Sequence, residues 1–201
     1  MPDSVLPANH KLVEGRVCGT CNVCCVALAI NDPALRKLPG YRCPHAQPDN
    51  SCGIYATRPD TCRAFYCGWR HLKWIREPLR PDRSGVLAQL HIEAGKDGVN
   101  RLGVKFTLLN ASALRAQGLA ETIAAGVAAG VPVYLAVPGP PGWTSAVARI
   151  NEALSDAVAT MDKRAVLRIL ARAWAQGRRG KRERIVLYPQ KADAAPSNGS
   201  H

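Results

Sequence analysis

Beyond Cys67 the chain contains no cysteine, although two thirds of its length is still to come. Aromatic residues are scarce, at 5% of the composition, and 15 acidic side chains stand against 27 basic ones. The opening stretch MPDSVLPANHKLVEG has no basic segment followed by an apolar one. That disfavours a secretory leader and makes the cytoplasm the expected compartment. The most apolar run, residues 123–137, is too short to cross a bilayer comfortably, is preceded by Glu121 and contains Pro132, so no membrane partner is expected. A glycine-rich nucleotide loop is missing as well. The candidate, GPPG at 139–142, has prolines where a phosphate would need N–H donors.

What is present describes a globular chain. With 201 residues and 47% hydrophobic content, it can bury a core without covalent staples. The formal net charge of +12 and a pI near 9.7 would suit a polyanion such as nucleic acid. Part of that excess is local: Arg178, Arg179, Lys181, Arg182 and Arg184 crowd one segment, with Glu183 the sole acid. A solvated basic stretch after a helix is the commoner explanation, and no RNA-recognition signature accompanies it.

The eight cysteines, Cys18, Cys21, Cys24, Cys25, Cys43, Cys52, Cys62 and Cys67, carry the strongest chemical signal. In a reducing compartment such density points to metal rather than to disulfides, and burial as small hydrophobes gives no reason for clustering. A redox dithiol needs fewer thiols, and no thioredoxin-like unit surrounds the CxxC pair. In a turn, C-x2-C lets two thiolates converge on one ion, eased by Gly19, with Cys21 and Cys24 forming an overlapping second knuckle. In a helix, about 100° per residue would instead align Cys18, Cys21 and Cys25 and turn Cys24 away. Four-coordinate zinc would let eight thiolates fill two sites, or one site with spares. C-x2-C-x2-C also matches the first three ligands of a bacterial [4Fe-4S] spacing, although Cys25 follows directly where x3-Cys-Pro is expected.

Around the later cysteines, Thr57, Pro59 and Asp60 read as a helix opening, with Pro59 in the first turn. On that helix Cys62, Phe65, Tyr66 and Trp69 would share a face, with Cys67 about 140° round from Cys62. Arg58 and Arg63 are positioned to offset thiolate charge, and His45 and His71 are further candidate ligands.

The remainder reads as α+β: an irregular Cys-rich metal-binding module over residues 1–80, packed on a small, mainly antiparallel sheet with helices over 81–188, then a disordered tail at 189–201. Residues 85–93 and 103–109 are expected to pair as a hairpin, followed by a helix over 112–129 capped by Ser112 and stopped at Gly130. Residues 131–137 read as an edge strand because of Pro132. Thr144 or Ser145 would cap a helix to Thr160, and Asp162 a second helix to Ala175 that buries Leu167, Leu170, Ala171 and Trp174. Residues 185–188 would form a last short strand. The turn at 80–85 is the expected joint between module and sheet.

Residues 15–75 resemble the YkgJ-type cysteine-cluster proteins, the CxxCxxCC or zinc- or iron-chelating domain. Cys18 to Cys25 match the signature, followed by Cys43, Cys52-Gly53-Ile54-Tyr55, Arg58-Pro59, Cys62-Arg63, Phe65 and Cys67. The resemblance implies chelation of zinc or iron by these cysteines. Some members are associated with lysine methylation of flagellin, which implies a protein-modifying enzyme as an alternative. A basic nucleic-acid-binding sensor of redox state or metal is the other alternative.

Overall fold

A computed structural model of the chain describes residues 12–95 and 98–187. Its centre is a four-stranded sheet in the order β3-β4-β5-β6, made of Val86–Ala94 (β3), Asn100–Leu108 (β4), Val133–Val137 (β5) and Ala146–Arg149 (β6). The β3–β4 and β5–β6 pairs are antiparallel, whereas β4 and β5 run parallel, so the α+β class holds with one parallel pair in the sheet. The expected hairpin is present, pairing Val86 with Leu108 through to Ala94 with Asn100.

The parallel pair explains the helix between its strands, because a parallel connection must cross over one face of the sheet. That crossover is shorter than the sequence suggests. A 3-10 turn occupies Ala111–Arg115, capped by Asn110 rather than Ser112, and the helix proper, Leu119–Ala128 (α5), begins only after Gly118 at φ +83°. Gly130 marks the stop, at φ +72°.

Two expectations for the next segment fail. β5 is central, not an edge: all five of its residues are buried, and Pro132 lies just outside it, where its carbonyl accepts from Val104 N at 2.8 Å and no ladder N–H is needed. The edge is β6, read from sequence as the start of a helix. Asn151–Ala159 (α6) begins only after it, where Asn151 bonds Val133 N and Val131 O at 2.8 Å each. Lys163–Arg179 (α7) runs a turn further than expected, and Asp162 caps it by accepting from Ala165 N at 2.9 Å. Leu170 is buried and Leu167 and Trp174 pack against the core, but Ala171 is exposed and Val166 takes the inward position. Residues 185–187 form no strand; their segment holds only a bridge between Trp143 and Arg184. The expected tail at 189–201 lies outside the described residues.

The thiol-bearing region precedes the sheet. It contains a helical turn, Val23–Ala27 (α1), a hairpin of Ile30–Asp32 (β1) and Leu35–Lys37 (β2), and three short helices, Asp60–Ala64 (α2), Gly68–His71 (α3) and Pro81–Ser84 (α4). Trp69, Ile75 and Leu79 from this region are buried in the same core as Phe106, Leu135 and Leu170. The hydrophobic core therefore crosses the joint at 80–85. Gly68 sits so close to the sheet that a Cβ there would meet Ala88 at 3.0 Å and Ile75 at 2.9 Å. Among the described residues, no helix is long and apolar enough to cross a membrane.

Candidate functional site

All eight cysteines are free thiols, and seven of them line one cavity of about 200 Å³. Cys67 is the exception, packing instead against the main core. Asn22, His45, Tyr55, Arg58 and Phe65 also line the cavity, and no carboxylate does among the described residues. Sulfur is thus the dominant donor, which suits thiophilic zinc or iron–sulfur centres rather than magnesium or calcium. Among the described residues no three His, Cys, Asp or Glu side chains already stand arranged to hold a metal ion. The thiols gather around a space rather than at a point.

Local folding decides which thiols meet. Cys18 and Cys21 form a turn closed by Cys21 N donating to Cys18 O at 2.9 Å, and α1 begins only at Val23. The turn geometry is therefore the one adopted, and the helical stripe of Cys18, Cys21 and Cys25 is not. Cys24 touches the Cys25 thiol through a hydrogen bond and has Cys18 and Cys21 as its next thiol neighbours. Its neighbour Cys25 turns toward Cys43 and Cys62, with which it packs beside Ile30 and Leu35. Cys43 is the most buried of the eight, at 8% exposure. Cys52 joins this group through the bridge between Ala46 and Cys52, and Cys62 faces Cys25, Cys43 and Cys52.

The expected long helix through the later cysteines is broken. Pro59 is the cap of α2 rather than a first-turn residue, and α2 ends at Ala64 because Phe65 is extended. Cys67 caps the separate helix α3. Cys62, Phe65, Tyr66 and Trp69 therefore do not share one helical face, and Cys62 and Cys67 sit on different segments. Cys67 is a neighbour of Cys18 and Cys21.

Positive groups surround the thiols, but only one of the expected arginines is among them. Arg58 stacks over Tyr55 at 4.1 Å and its charge acts on Cys25, whereas Arg63 pairs with Asp60. Lys37, at 5% exposure, was not legible as part of the site. Its ammonium donates to the carbonyls of Val26, Leu38 and Tyr41 at 3.1, 2.9 and 3.0 Å, and it faces Cys43, Cys25 and Cys24. Burial lowers its pKa and the neighbouring thiolates push it back up. Its alternation with Leu35 on β2, both inward, is the one signal that could have exposed it. Arg80 donates to Cys18 O at 2.7 Å on the other side.

These charges polarise the thiols unequally. A hydrogen bond from the Cys24 thiol pulls Cys25 down to about 6, helped by Lys37 and Arg58, and the same bond pushes Cys24 up. Burial raises Cys21 and Cys62, and takes Cys67 to about 11. His45 lines the cavity, while His71 lies on α3 away from its lining. The basic segment is partly committed elsewhere: Arg182 folds back onto the end of α7, donating to Gly177 O at 2.7 Å and Arg178 O at 3.1 Å.

No family model matches this chain, and neither a curated protein nor a solved structure matches it. The resemblance to the CxxCxxCC proteins therefore rests on the cysteine spacing and its flanking residues alone.

Proposed function

We propose that the protein binds a thiophilic metal, zinc or iron, through its cysteine cluster, as the YkgJ-type resemblance implies. The observation that carries this reading is the gathering of seven thiols around one cavity from segments more than forty residues apart. Lys37 supports it. A buried ammonium without a negative partner costs several kcal/mol, roughly, and the Cys25 thiolate beside Lys37 does not by itself supply more than one charge. Thiolates on a metal do, since four of them on Zn²⁺ leave a formal charge of about −2. In such a centre the cysteines would be the ligands, and Lys37, Arg58 and Arg80 would offset the charge and hold the flanking backbone. The metal would supply either rigid crosslinking or, as iron–sulfur, electron-accepting chemistry.

The experiment is the iron, sulfide and zinc content of protein purified without exposure to air, with its absorption spectrum. Stoichiometric zinc, or iron with matching sulfide, is expected. A folded, colourless protein that carries none of these and takes up neither Zn²⁺ nor Co²⁺ would end the proposal.

A further inference from the structure

The thiol region is tied to the rest of the molecule in two separate places. One tether holds residues 13–18 against the segment that contains Cys67. Val13 N donates to Arg70 O at 2.8 Å, and the Arg16 guanidinium spans Trp69 O at 2.6 Å and Ile75 O at 2.7 Å while lying over the Trp69 ring. Arg80 completes it by donating to Cys18 O. Four arginine and backbone bonds thus fix the Cys18–Cys21 turn beside Cys67, two groups separated by some fifty residues of chain.

The other tether holds the β1–β2 hairpin against α2. Thr61 Oγ1 donates to Asp32 Oδ2 at 2.8 Å, one residue from Cys62, and Ile30, Leu35 and Cys43 make a small core of their own with Cys25 and Cys62 packed on it. That core is distinct from the main one, against which Cys67 packs. The bridge between Ala46 and Cys52 brings the fourth thiol to the same place.

The dividing line falls inside α1, between two consecutive residues. Adjacent side chains on a helix point about 100° apart, so these two thiols, although one donates to the other, have different further neighbours. Beyond that contact Cys24 neighbours Cys18 and Cys21, and Cys25 packs on the hairpin core. We infer that the eight thiols form two four-sulfur metal sites, Cys18, Cys21, Cys24 and Cys67 in one and Cys25, Cys43, Cys52 and Cys62 in the other, joined through the Cys24–Cys25 peptide. Each site takes one thiophilic centre, and the doubled cysteine is the hinge between them rather than a redundant ligand. Arg80 stands beside the first, and Lys37 beside the second and beside Cys24, where the two meet.

This inference rests on the metal-binding reading, and the test separates the two. The full-length chain is loaded anaerobically with Zn²⁺, or with Co²⁺ as a coloured substitute, and bound metal per chain is measured beside circular dichroism. The parent chain should bind two equivalents. Cys67→Ser and Cys52→Ser should each bind one. The pair Cys18→Ser with Cys67→Ser, both in one site, should still bind one. The pair Cys67→Ser with Cys52→Ser should bind none. If Cys67→Ser and Cys52→Ser each abolish all binding, or the parent chain binds a single centre that every cysteine variant weakens equally, the division is overturned while metal binding stands. If the parent chain binds neither metal, both readings fall together.

Discussion

Lys37 is the side chain whose position was hardest to anticipate and whose loss should be most telling. In the stretch Leu35-Arg36-Lys37 residue type alone does not mark this lysine from the arginine before it. Only the pairing of Ile30 with Lys37 turns it inward, onto three carbonyls and the thiols. Lys37→Met would leave those carbonyls without a donor and is expected to cost about 3 kcal/mol, read as a lower urea midpoint of the metal-loaded protein. Burial lowers Lys105 as it does Lys37, but the loss of Lys105 should act in the opposite direction. It stands between Gln89 and Tyr134 across the sheet, with His91 and Glu93 on the adjoining strand, and burial holds its pKa below that of an ordinary lysine. Folding therefore disfavours its charged form: the penalty is full below the folded pKa and vanishes as pH rises to the unfolded value. Lys105→Met should raise the melting temperature at neutral pH, and that gain should shrink steadily on going to pH values near about 10.4.

At the level of elements, legibility followed the range of the forces involved. The 86–108 hairpin announces itself through alternation and a Gly/Asp turn, and Asp162 before an amphipathic run announces α7. Asp162→Ala should therefore lower stability by about 1 kcal/mol, measured by thermal melts, without altering the thiol region. β6 is silent in the sequence because Ala146 and Ala148 favour helices on their own, and only pairing with Val137 and Leu135 makes them a strand. Cysteine spacing makes the chemistry of the site readable, but not its grouping. That depends on where α1 starts and on bonds such as Arg16 to Trp69 and Arg80 to Cys18, which span more than fifty residues and leave no local trace.

For the whole molecule, the consequence of one core shared across residues 80–85 is that neither half is self-sufficient. A chain beginning at residue 81 would lose Trp69, Ile75 and Leu79, all buried against the sheet, and uncover a large apolar face. Such a fragment is expected to lack a sigmoidal urea transition and to bind a hydrophobic dye strongly, in contrast to the intact chain.

The GPPG loop is gripped from both directions. Gly142 N donates to Pro39 O beside the thiol hairpin, while Gly142 O accepts from Ile185 N and Thr144 N donates to Glu183 O. The end of α7 and the edge of the sulfur cavity thereby become two sides of a single clasp, so strain applied at the carboxyl-terminal side is conducted to the hairpin that carries Lys37. Trp143, at the middle of that clasp, is a natural optical gauge of whether it is closed.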